Sequence, residues 1–369
     1  MKKIISLFLI LSLILCGCGS QPAETTAPPT TEAPTEAPTE APTTVPPTTE
    51  APTEPPTEAP TEPPAPTNPL TGEVLDAPHD ARLFAVTINN VPGAMPTCGL
   101  PQCDLFFEMF VNSYATRGLA MFADIRKADS VGSVRSLRFN FIDICQAYEA
   151  IVVHASGSAQ VLSALKGSGV PNISVESEVA DYYFRDSARL NAGYNWEHTL
   201  FVKGEKTFQY AESKGISVTQ PEGKTYGLSF TEDGTPADGE NAAKITINLT
   251  HDYVTKQTIM EYDETLGKYT FNQFNRVQKN MTDNQVITFE NVIVMFCRVY
   301  NNGQYHVAEL EGSGDGYFAC NGKIIPIKWT HEAETDPFTF TLTDGTPLEL
   351  GVGNSYIAIA PLTSTVVCE

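Results

Sequence analysis

The chain has 369 residues, more than one ordinary domain needs, with 44 acidic and 23 basic side chains and a formal net charge of -21. This balance argues against a nucleic-acid partner, because neutralising phosphates requires clustered lysine and arginine. A hydrophobic content of 41% is enough for a packed core and excludes a wholly disordered chain.

The N-terminus has the pattern of an export signal. Two lysines precede an apolar run from Ile4 to Leu15, which has the length of a signal peptide and is too short for a membrane-spanning helix. The segment ends Leu15-Cys16-Gly17-Cys18, which is similar to a bacterial lipobox with Cys18 as the lipidated residue. Residues 1–18 are therefore predicted to be a lipoprotein signal peptide, with an uncleaved single-pass anchor as the alternative.

A diacylglycerol on Cys18, carrying chains of the palmitate type, would supply the two acyl chains that stable anchoring needs. The expected partner of this end is a membrane. The expected location is the outer face of the cytoplasmic membrane of a bacterium, facing the cell wall.

Residues 19–67 repeat Thr-Glu-Ala-Pro with variations and contain eight Glu, no Lys or Arg and no aromatic residue. Such a segment cannot bury apolar surface, and its prolines favour extended polyproline II at about 3.1 Å per residue. It is predicted to be a disordered stalk on the order of 100 Å long, enough to reach into a cell wall.

From residue 68 to 221, strand-like and helix-like segments alternate. Strands are predicted at 84–88, 105–109 and 150–154, and helices at 137–148 and 158–166, the second capped by Ser158. Strand, tight loop and helix is the local unit of an α/β domain, so this segment is predicted to be an N-terminal α/β domain.

Residues 222–369 show the alternation of apolar and polar side chains that is typical of strands, as at Ile245, Ile247 and Leu249. Asn321-Gly322 lies between two strand-like runs and predicts a type I′ hairpin. This half is predicted to be a smaller C-terminal domain built from an antiparallel sheet.

Arginines are concentrated in one part of an acidic chain. Six of the nine lie between Arg117 and Arg189, and each offers a planar fork that suits a carboxylate or a phosphate. Arg135 and Arg138 would share one face if their segment were helical. The residues from His154 to Ser158 place hydroxyls and free backbone N–H groups at a helix start, which favours an anion.

The candidate ligand-binding residues are Arg117, Arg135, Ser136, Arg138, His154, Ser156, Ser158, Arg185, Arg189 and His198. Together they could line a pocket for an anionic ligand. The alternative is that these arginines pair with the surplus of acidic residues and that Ser158 only caps its helix.

A nucleophilic enzyme would need a hydroxyl, a base and an orienting acid. The candidates for these roles are Ser136 or Ser156, His154 or His198, and Asp143 or Glu197. The G-x-S-x-G elbow is absent from the sequence, so no catalytic residue is assigned.

Cysteine and histidine usage gives little support for a metal, and no cofactor is expected. No Cys/His cluster has zinc spacing. Cys98 and Cys103 are close enough for a local disulfide, which export permits, and the alternative is two free thiols. The remaining histidines, His79, His251, His306 and His331, are expected singly at the surface.

A set of sequence blocks runs in order from Asn68 to Pro361. They include Ile88-Asn89-Asn90, Gly132-Ser-Val-Arg-Ser-Leu-Arg138, His154-Ala-Ser-Gly-Ser158, Phe184-Arg185 with Arg189, and Gly312-Ser-Gly-Asp-Gly-Tyr317. In these blocks the chain resembles the YerB-like lipoproteins, a bacterial family of unknown function. The resemblance implies a three-layer α/β sandwich for the first domain and no established activity, and it adds Asn89 and Asn90 to the candidate ligand-binding residues.

Two positions depart from the family pattern. Glu197-His198-Thr199 stands where the family has P-H-N, so the histidine is kept and the asparagine is lost. Ser156 replaces the first glycine of H-A-G-G-S.

The leading functional hypothesis is a lipid-anchored protein whose α/β domain binds an anionic cell-wall or small-molecule ligand. The second is a cell-wall-acting enzyme with His154 or His198 as general base. The third is a scaffold for a membrane protein complex, with a protein partner docking on residues 222–369.

Overall fold

The computed structural model describes residues 65–112, 114–303 and 305–369. The predicted signal peptide, the lipidation at Cys18 and the stalk up to residue 64 lie outside the described residues. Within these three ranges, none of the helices is long and apolar enough to cross a bilayer.

The described chain is mixed α/β and rich in strands. The strands are β1 Phe84–Asn90, β2 Leu105–Asn112, β3 Ala115–Phe122, β4 Val131–Gly132, β5 Ile151–His154, β6 Asn172–Ser174, β7 Tyr183–Arg185, β8 Leu200–Val202, β9 Ser229–Thr231, β10 Glu240–Asn241, β11 Lys244–His251, β12 Val254–Asp263, β13 Lys268–Gln273, β14 Arg276–Val277, β15 Thr288–Phe289, β16 Asn291–Cys297, β17 Val299–Asn302, β18 Tyr305–Ala308, β19 Gly312–Cys320, β20 Lys323–His331, β21 Thr339–Leu342, β22 Glu349–Gly351, β23 Ser355–Pro361 and β24 Thr365–Cys368. The α-helices are α1 Phe139–Ala147, α2 Ala159–Ser168, α3 Ser187–Asn191 and α4 Gly204–Ser213, with 3-10 turns at Pro92–Ala94, Leu100–Gln102, Ile125–Lys127 and Trp196–His198.

One mixed sheet of 11 strands draws on both halves of the chain. Its order is β10-β20-β19-β16-β23-β2-β3-β1-β5-β6, with β21 on β20. Strand β23 joins the halves because it pairs in parallel with β16 on one side and with β2 on the other. At the other end of the sheet β1, β5 and β6 are parallel, so their carboxyl ends share one edge.

The two faces of this sheet carry separate apolar cores, because neighbouring side chains on a strand point to opposite faces. On β2, Phe107 and Met109 pack into the core that includes α1 and α2. Phe106 and Phe110 pack into the other core, which includes a six-stranded sheet of order β14-β13-β12-β11-β24 with β15 on β13.

The short-range predictions are confirmed. The predicted strands start within one residue of β1, β2 and β5. Helices α1 and α2 fall where helices were expected, with α1 starting at Phe139 and not at residue 137. The Ser158 hydroxyl accepts the Val161 N–H at 3.3 Å, although α2 runs past residue 166 and ends at Ser168. The hairpin turn between β19 and β20 has Asn321 and Gly322 at φ 49° and 71°, as a type I′ turn requires.

Arg135 and Arg138 do not share a helix face, because the condition for it, a helical segment, is not met. Their segment is extended, and α1 begins only at Phe139. The Arg135 N–H bonds to the Thr87 carbonyl on β1 at 3.0 Å, and the Val134 N–H bonds to the Leu200 carbonyl at 2.8 Å. These long-range backbone bonds take the place of helical ones.

The expectation of isolated surface histidines is wrong for His251, His306 and His331. His306 and His331 are 4% and 2% exposed, and the His251 ring contacts the His306 ring. The side chains of His306 and His331 lie on strand faces that turn inward, which a single position in the sequence does not reveal.

Cys98 and Cys103 are buried free thiols, and burial raises the pKa of Cys98 to about 11.

Candidate functional site

A cleft of about 400 Å³ lies at the carboxyl ends of β5 and β6. Its lining includes Arg135, Ser136, Ser156, Glu176, Arg185 and Trp196. In open α/β sheets the loops that follow the carboxyl ends of parallel strands form the usual ligand crevice. Four of the predicted ligand-binding residues, Arg135, Ser136, Ser156 and Arg185, therefore meet in one place, although they come from two separate loops and β7.

Arg135 reaches the cleft from the extended segment after β4. Its Nη1 donates to Glu197 Oε2 at 3.0 Å, and its side chain is about a quarter exposed. The Arg135 Nε is buried and has no hydrogen-bond partner among the described residues. This guanidinium therefore has an unused donor and an exchangeable carboxylate partner.

Arg185, on β7, is held on three sides. Nε and Nη2 donate to the two carboxylate oxygens of Glu176, the first at 2.7 Å, in a bidentate pair. Its Nη1 donates to the Trp196 carbonyl at 2.6 Å, and the guanidinium lies 4.0 Å from the centre of the Trp196 ring. The Trp196 side chain itself is 59% exposed and forms a flat aromatic surface at the rim.

The loop between β5 and α2 contributes Ala155 and Ser156 to the lining of the cleft. His154 is fully buried, and its Nδ1–H donates to the Ser156 carbonyl at 2.9 Å. Burial lowers the pKa of His154, so the neutral ring holds the loop in place. Ser156 has φ 62°, in the left-handed region that favours glycine.

Replacing Ser156 by Gly should raise the free energy of unfolding by about 0.5–1 kcal/mol, because glycine adopts this φ without steric cost. Denaturant unfolding of Ser156→Gly measures the gain. Ser174→Gly, in the extended strand β6, is the matched control and should lose stability. A loss in both variants would contradict the strain argument.

His198 lies beside the cleft and is 5% exposed. The Asn89 amide nitrogen is 2.7 Å from its Nδ1, and because an amide N–H donates, the ring proton is on Nε2. That nitrogen is 3.7 Å from Glu197 Oε1. Burial lowers the pKa of His198, and the nearby Glu197 carboxylate opposes this effect. The hydrogen bond from Asn89 ties the His198 ring to β1.

Arg117 and Arg138 lie behind Ser136 and have no carboxylate within 4 Å among the residues described. Both donate to main-chain carbonyls: Arg117 to that of Ser136, and Arg138 to that of Leu137 at 2.8 Å. Burial and the nearby Arg138 and Arg135 lower the pKa of Arg117. Positive charge therefore exceeds negative charge on this side of the cleft.

Three other candidate residues are placed away from the cleft opening. Arg189 donates to the main-chain carbonyls of Ala94, Pro96 and His198. Ser158 caps α2. Asn90 bonds to Glu108 and Thr116 in the interior between the two sheets.

The catalytic groups considered from the sequence are not assembled as a triad. His154 bonds to a carbonyl and faces an asparagine side chain, and Asp143 is on α1 beside Gln146 and Glu334, in another pocket. In the described part of the chain, neither His154 nor His198 has a serine hydroxyl as hydrogen-bond partner.

Sequence reasoning missed Glu176 and Trp196, which complete the cleft, and Glu108 with Lys256, which bind each other in the interior. Trp196 precedes Glu197-His198 directly and is one of only two tryptophans, which was an available signal. The Glu176–Arg185 pair had no such signal in the sequence, because no local sequence pattern links the two positions.

The chain belongs to the family described as "Protein of unknown function (DUF3048)". The model of its N-terminal domain matches residues 70–217 and that of its C-terminal domain matches residues 246–357. The chain is also 25% identical over 303 residues to "Putative lipoprotein YerB" of Bacillus subtilis, covering 79% of this chain and 86% of that protein. These matches confirm the resemblance to the YerB-like lipoproteins.

The crystal structure of the YerB protein from Bacillus subtilis has a similar fold. The TM-score is 0.71 at 21% sequence identity, over 82% of this chain and 99% of that one.

Proposed function

We propose that the protein is a lipoprotein anchored through a diacylglycerol on Cys18 to the outer face of the bacterial cytoplasmic membrane, and that its cleft binds an anionic ligand of the cell envelope. The lipobox supports the anchor, and so does the description of the Bacillus relative as a lipoprotein. The cleft carries the second part of the proposal.

The observation that carries the binding function is the meeting of two guanidinium groups and two serines in one cleft, Arg135 and Arg185 with Ser136 and Ser156. Arginine forks and hydroxyls are the groups that bind carboxylates and phosphates. The carboxylates of Glu176 and Glu197 now occupy these forks. A ligand carboxylate or phosphate would exchange with them.

The charge balance favours this exchange. Arg135 and Arg185 line the cleft, and each pairs with one carboxylate of the protein, Glu197 and Glu176 respectively. Arg117 and Arg138 contribute uncompensated charge in a chain that is otherwise strongly acidic. An added anion therefore has a favourable local field.

The exposed Trp196 narrows the ligand class. A flat indole beside arginine and hydroxyl donors suits the face of a sugar ring that carries an acidic substituent. Envelope polymers combine sugars or polyols with carboxylates and phosphates. We therefore favour an acidic glycan or polyol-phosphate fragment over a free inorganic ion.

Binding is measured by titrating the full-length protein with inorganic phosphate, glucuronate, glycerol-phosphate oligomers and muramyl peptides. A change in tryptophan fluorescence on titration reports on the cleft, because Trp196 lines the cleft while the other tryptophan, Trp329, is buried and does not line it. The double variant Arg135→Ala/Arg185→Ala should weaken binding about 100-fold or more, because two charge-assisted contacts of about 1.5 kcal/mol each are lost.

Arg298→Ala is the matched control, since it breaks an exposed arginine–glutamate pair at 3.1 Å elsewhere on the protein. It should bind like the unmodified protein. Failure of all probes to bind, or binding that survives the double substitution, would overturn the proposed function.

For the architecture, we propose an N-terminal domain of residues 68–221 with three layers and a smaller C-terminal β-rich domain of residues 222–369. Within the first half, α1 and α2 contribute to the core on one face of the main sheet, while β8 and α4 contribute to the core on the other face, and this supports the layering. The gap between the two family matches, from 217 to 246, supports the boundary.

A further inference from the structure

Two histidine side chains meet between two β-hairpins on the second half of the chain. His251 is the last residue of β11, directly before the turn to β12, and His306 lies on β18 opposite Asn301 of β17. Their ring centres are 4.1 Å apart and the rings are nearly perpendicular, at 88°. The packing thus brings together two imidazoles that are 55 positions apart in the sequence.

The nitrogens of these rings lack partners. His306 is 4% exposed, yet neither Nδ1 nor Nε2 has a hydrogen-bond partner among the described residues. The same holds for His251 Nε2 within the described ranges. A buried polar group without a partner costs about 1–3 kcal/mol, and such groups in native proteins call for an explanation. The Phe110 ring, 6.0 Å from His306, provides packing but no acceptor.

A carboxylate completes the cluster. Asp252 occupies the turn after β11 with φ 53°, and its Oδ2 is 3.9 Å from His251 Nε2. One ligand atom from each of His251, Asp252 and His306 lies within 4.8 Å of the other two. The Asn301 amide donates to Asp252 Oδ2 at 3.3 Å and orients the carboxylate, as the outer partners of metal ligands do.

We propose that His251, Asp252 and His306 form a binding site for a divalent transition-metal ion of the Zn²⁺ type. Two imidazole nitrogens and one carboxylate oxygen are a donor set that such ions prefer. Calcium and magnesium require mostly oxygen ligands, so this cluster does not suit them. Sequence patterns do not reveal this site, because its ligands lie on two hairpins without a zinc-type spacing.

The geometry fits a tetrahedral ion after a small closure. Ligands at about 2.0–2.2 Å from a tetrahedral centre lie roughly 3.4 Å apart, so the widest separation must shrink by on the order of 1 Å. Asp252 can supply this movement, because its side chain is about half exposed.

The bound ion would connect the β11–β12 turn to the β17–β18 hairpin and leave a fourth coordination position for water. Because the folded chain positions all three ligands and the unfolded chain does not, binding should stabilise the fold. The expected signature is a rise in melting temperature with Zn²⁺ that Mg²⁺ and Ca²⁺ do not reproduce.

The test is calorimetric titration of the metal-free full-length protein with Zn²⁺, with Co²⁺ absorption as an independent report of coordination. We expect one ion per chain at this site. Asp252→Asn keeps a residue that tolerates φ 53° and should weaken binding at least about tenfold. His306→Phe preserves an aromatic ring beside Phe110 and should abolish the Co²⁺ spectrum of this site.

His79→Ala is the matched control, because His79 is partly buried and lies on a different segment. It should bind Zn²⁺ like the unmodified protein. Absence of Zn²⁺ binding by the unmodified protein would overturn the proposal. So would binding that Asp252→Asn and His306→Phe leave unchanged while circular dichroism shows both variants folded.

Discussion

Replacing Glu108 by Ala should lower the free energy of unfolding by about 3–5 kcal/mol. Glu108 lies on β2, in the middle of an apolar strand, and has no solvent exposure. Six side chains donate hydrogen bonds to its carboxylate: Asn90, Thr116 and Lys256 to Oε1, and Thr258, Gln273 and Tyr356 to Oε2. Three of these donors belong to the main sheet and three to the six-stranded sheet, so the carboxylate joins the two sheets.

The free energy of unfolding falls because the substitution leaves the buried Lys256 ammonium without its carboxylate partner. Burial alone would raise the pKa of Glu108, but Lys256, with its Nζ at 2.5 Å, and the hydroxyl donors lower it, so the group is a buried carboxylate ion. Burial lowers the pKa of Lys256 to about 8. Without Glu108, the Lys256 ammonium would keep the Thr258 hydroxyl at 2.7 Å and the Phe274 ring, whose centre is 5.6 Å away, but no carboxylate among the described residues. Removing one partner of a buried ion pair costs more than the pair contributes.

Urea unfolding at pH 7 measures this effect. Glu261→Ala, at an exposed position of β12, is the matched control and should change stability by less than about 0.5 kcal/mol. The double variant Glu108→Leu/Lys256→Met should recover most of the loss, because it leaves no unpaired charge. If the double variant lost as much stability as Glu108→Leu and Lys256→Met lose in sum when made singly, the ion pair would not be the source of the effect.

Short-range patterns were sufficient for individual elements. The apolar run at 84–88 gave β1, and Ser158 correctly marked the start of α2. Asn321-Gly322 fixed a hairpin because its turn depends on two adjacent residues only. The clustering of arginine between 117 and 189 also pointed to residues that meet at the cleft, although it did not separate Arg135 and Arg185 from Arg189.

Long-range pairing was not accessible in the same way. Nothing in the sequence of β23 specifies that it pairs with both β2 and β16 and so makes one sheet of the two halves. Glu108 in its apolar strand was a visible anomaly, but its partner Lys256 lies 148 positions away. The partners of Arg135 and Arg185 are likewise set by loops that tertiary packing brings together. These interactions depend on the fold and on no local pattern.

Replacing Arg189 by Ala should lower the free energy of unfolding by about 2–4 kcal/mol, since hydrogen bonds from a charged donor contribute about 1.5–3 kcal/mol each and do not add fully. Arg189 is 5% exposed and donates from Nη1 to the carbonyls of Ala94 and His198, at 3.0 and 2.9 Å, and from Nη2 to the carbonyl of Pro96. Its guanidinium is 5.0 Å from the centres of the Tyr194 and Phe201 rings.

These contacts make Arg189 the link between the loop after β1 and the turn that carries His198. Lysine has the charge but lacks the planar fork, so Arg189→Lys should recover less than half of the stability lost in Arg189→Ala. Arg126→Ala is the matched control, because Arg126 pairs with Asp124 at a site where its side chain is 40% exposed, and it should cost less than about 1 kcal/mol. Urea unfolding of the three variants measures how much free energy of unfolding each one loses. Full recovery by lysine would mean that charge, and not the three carbonyl bonds, is what this position contributes.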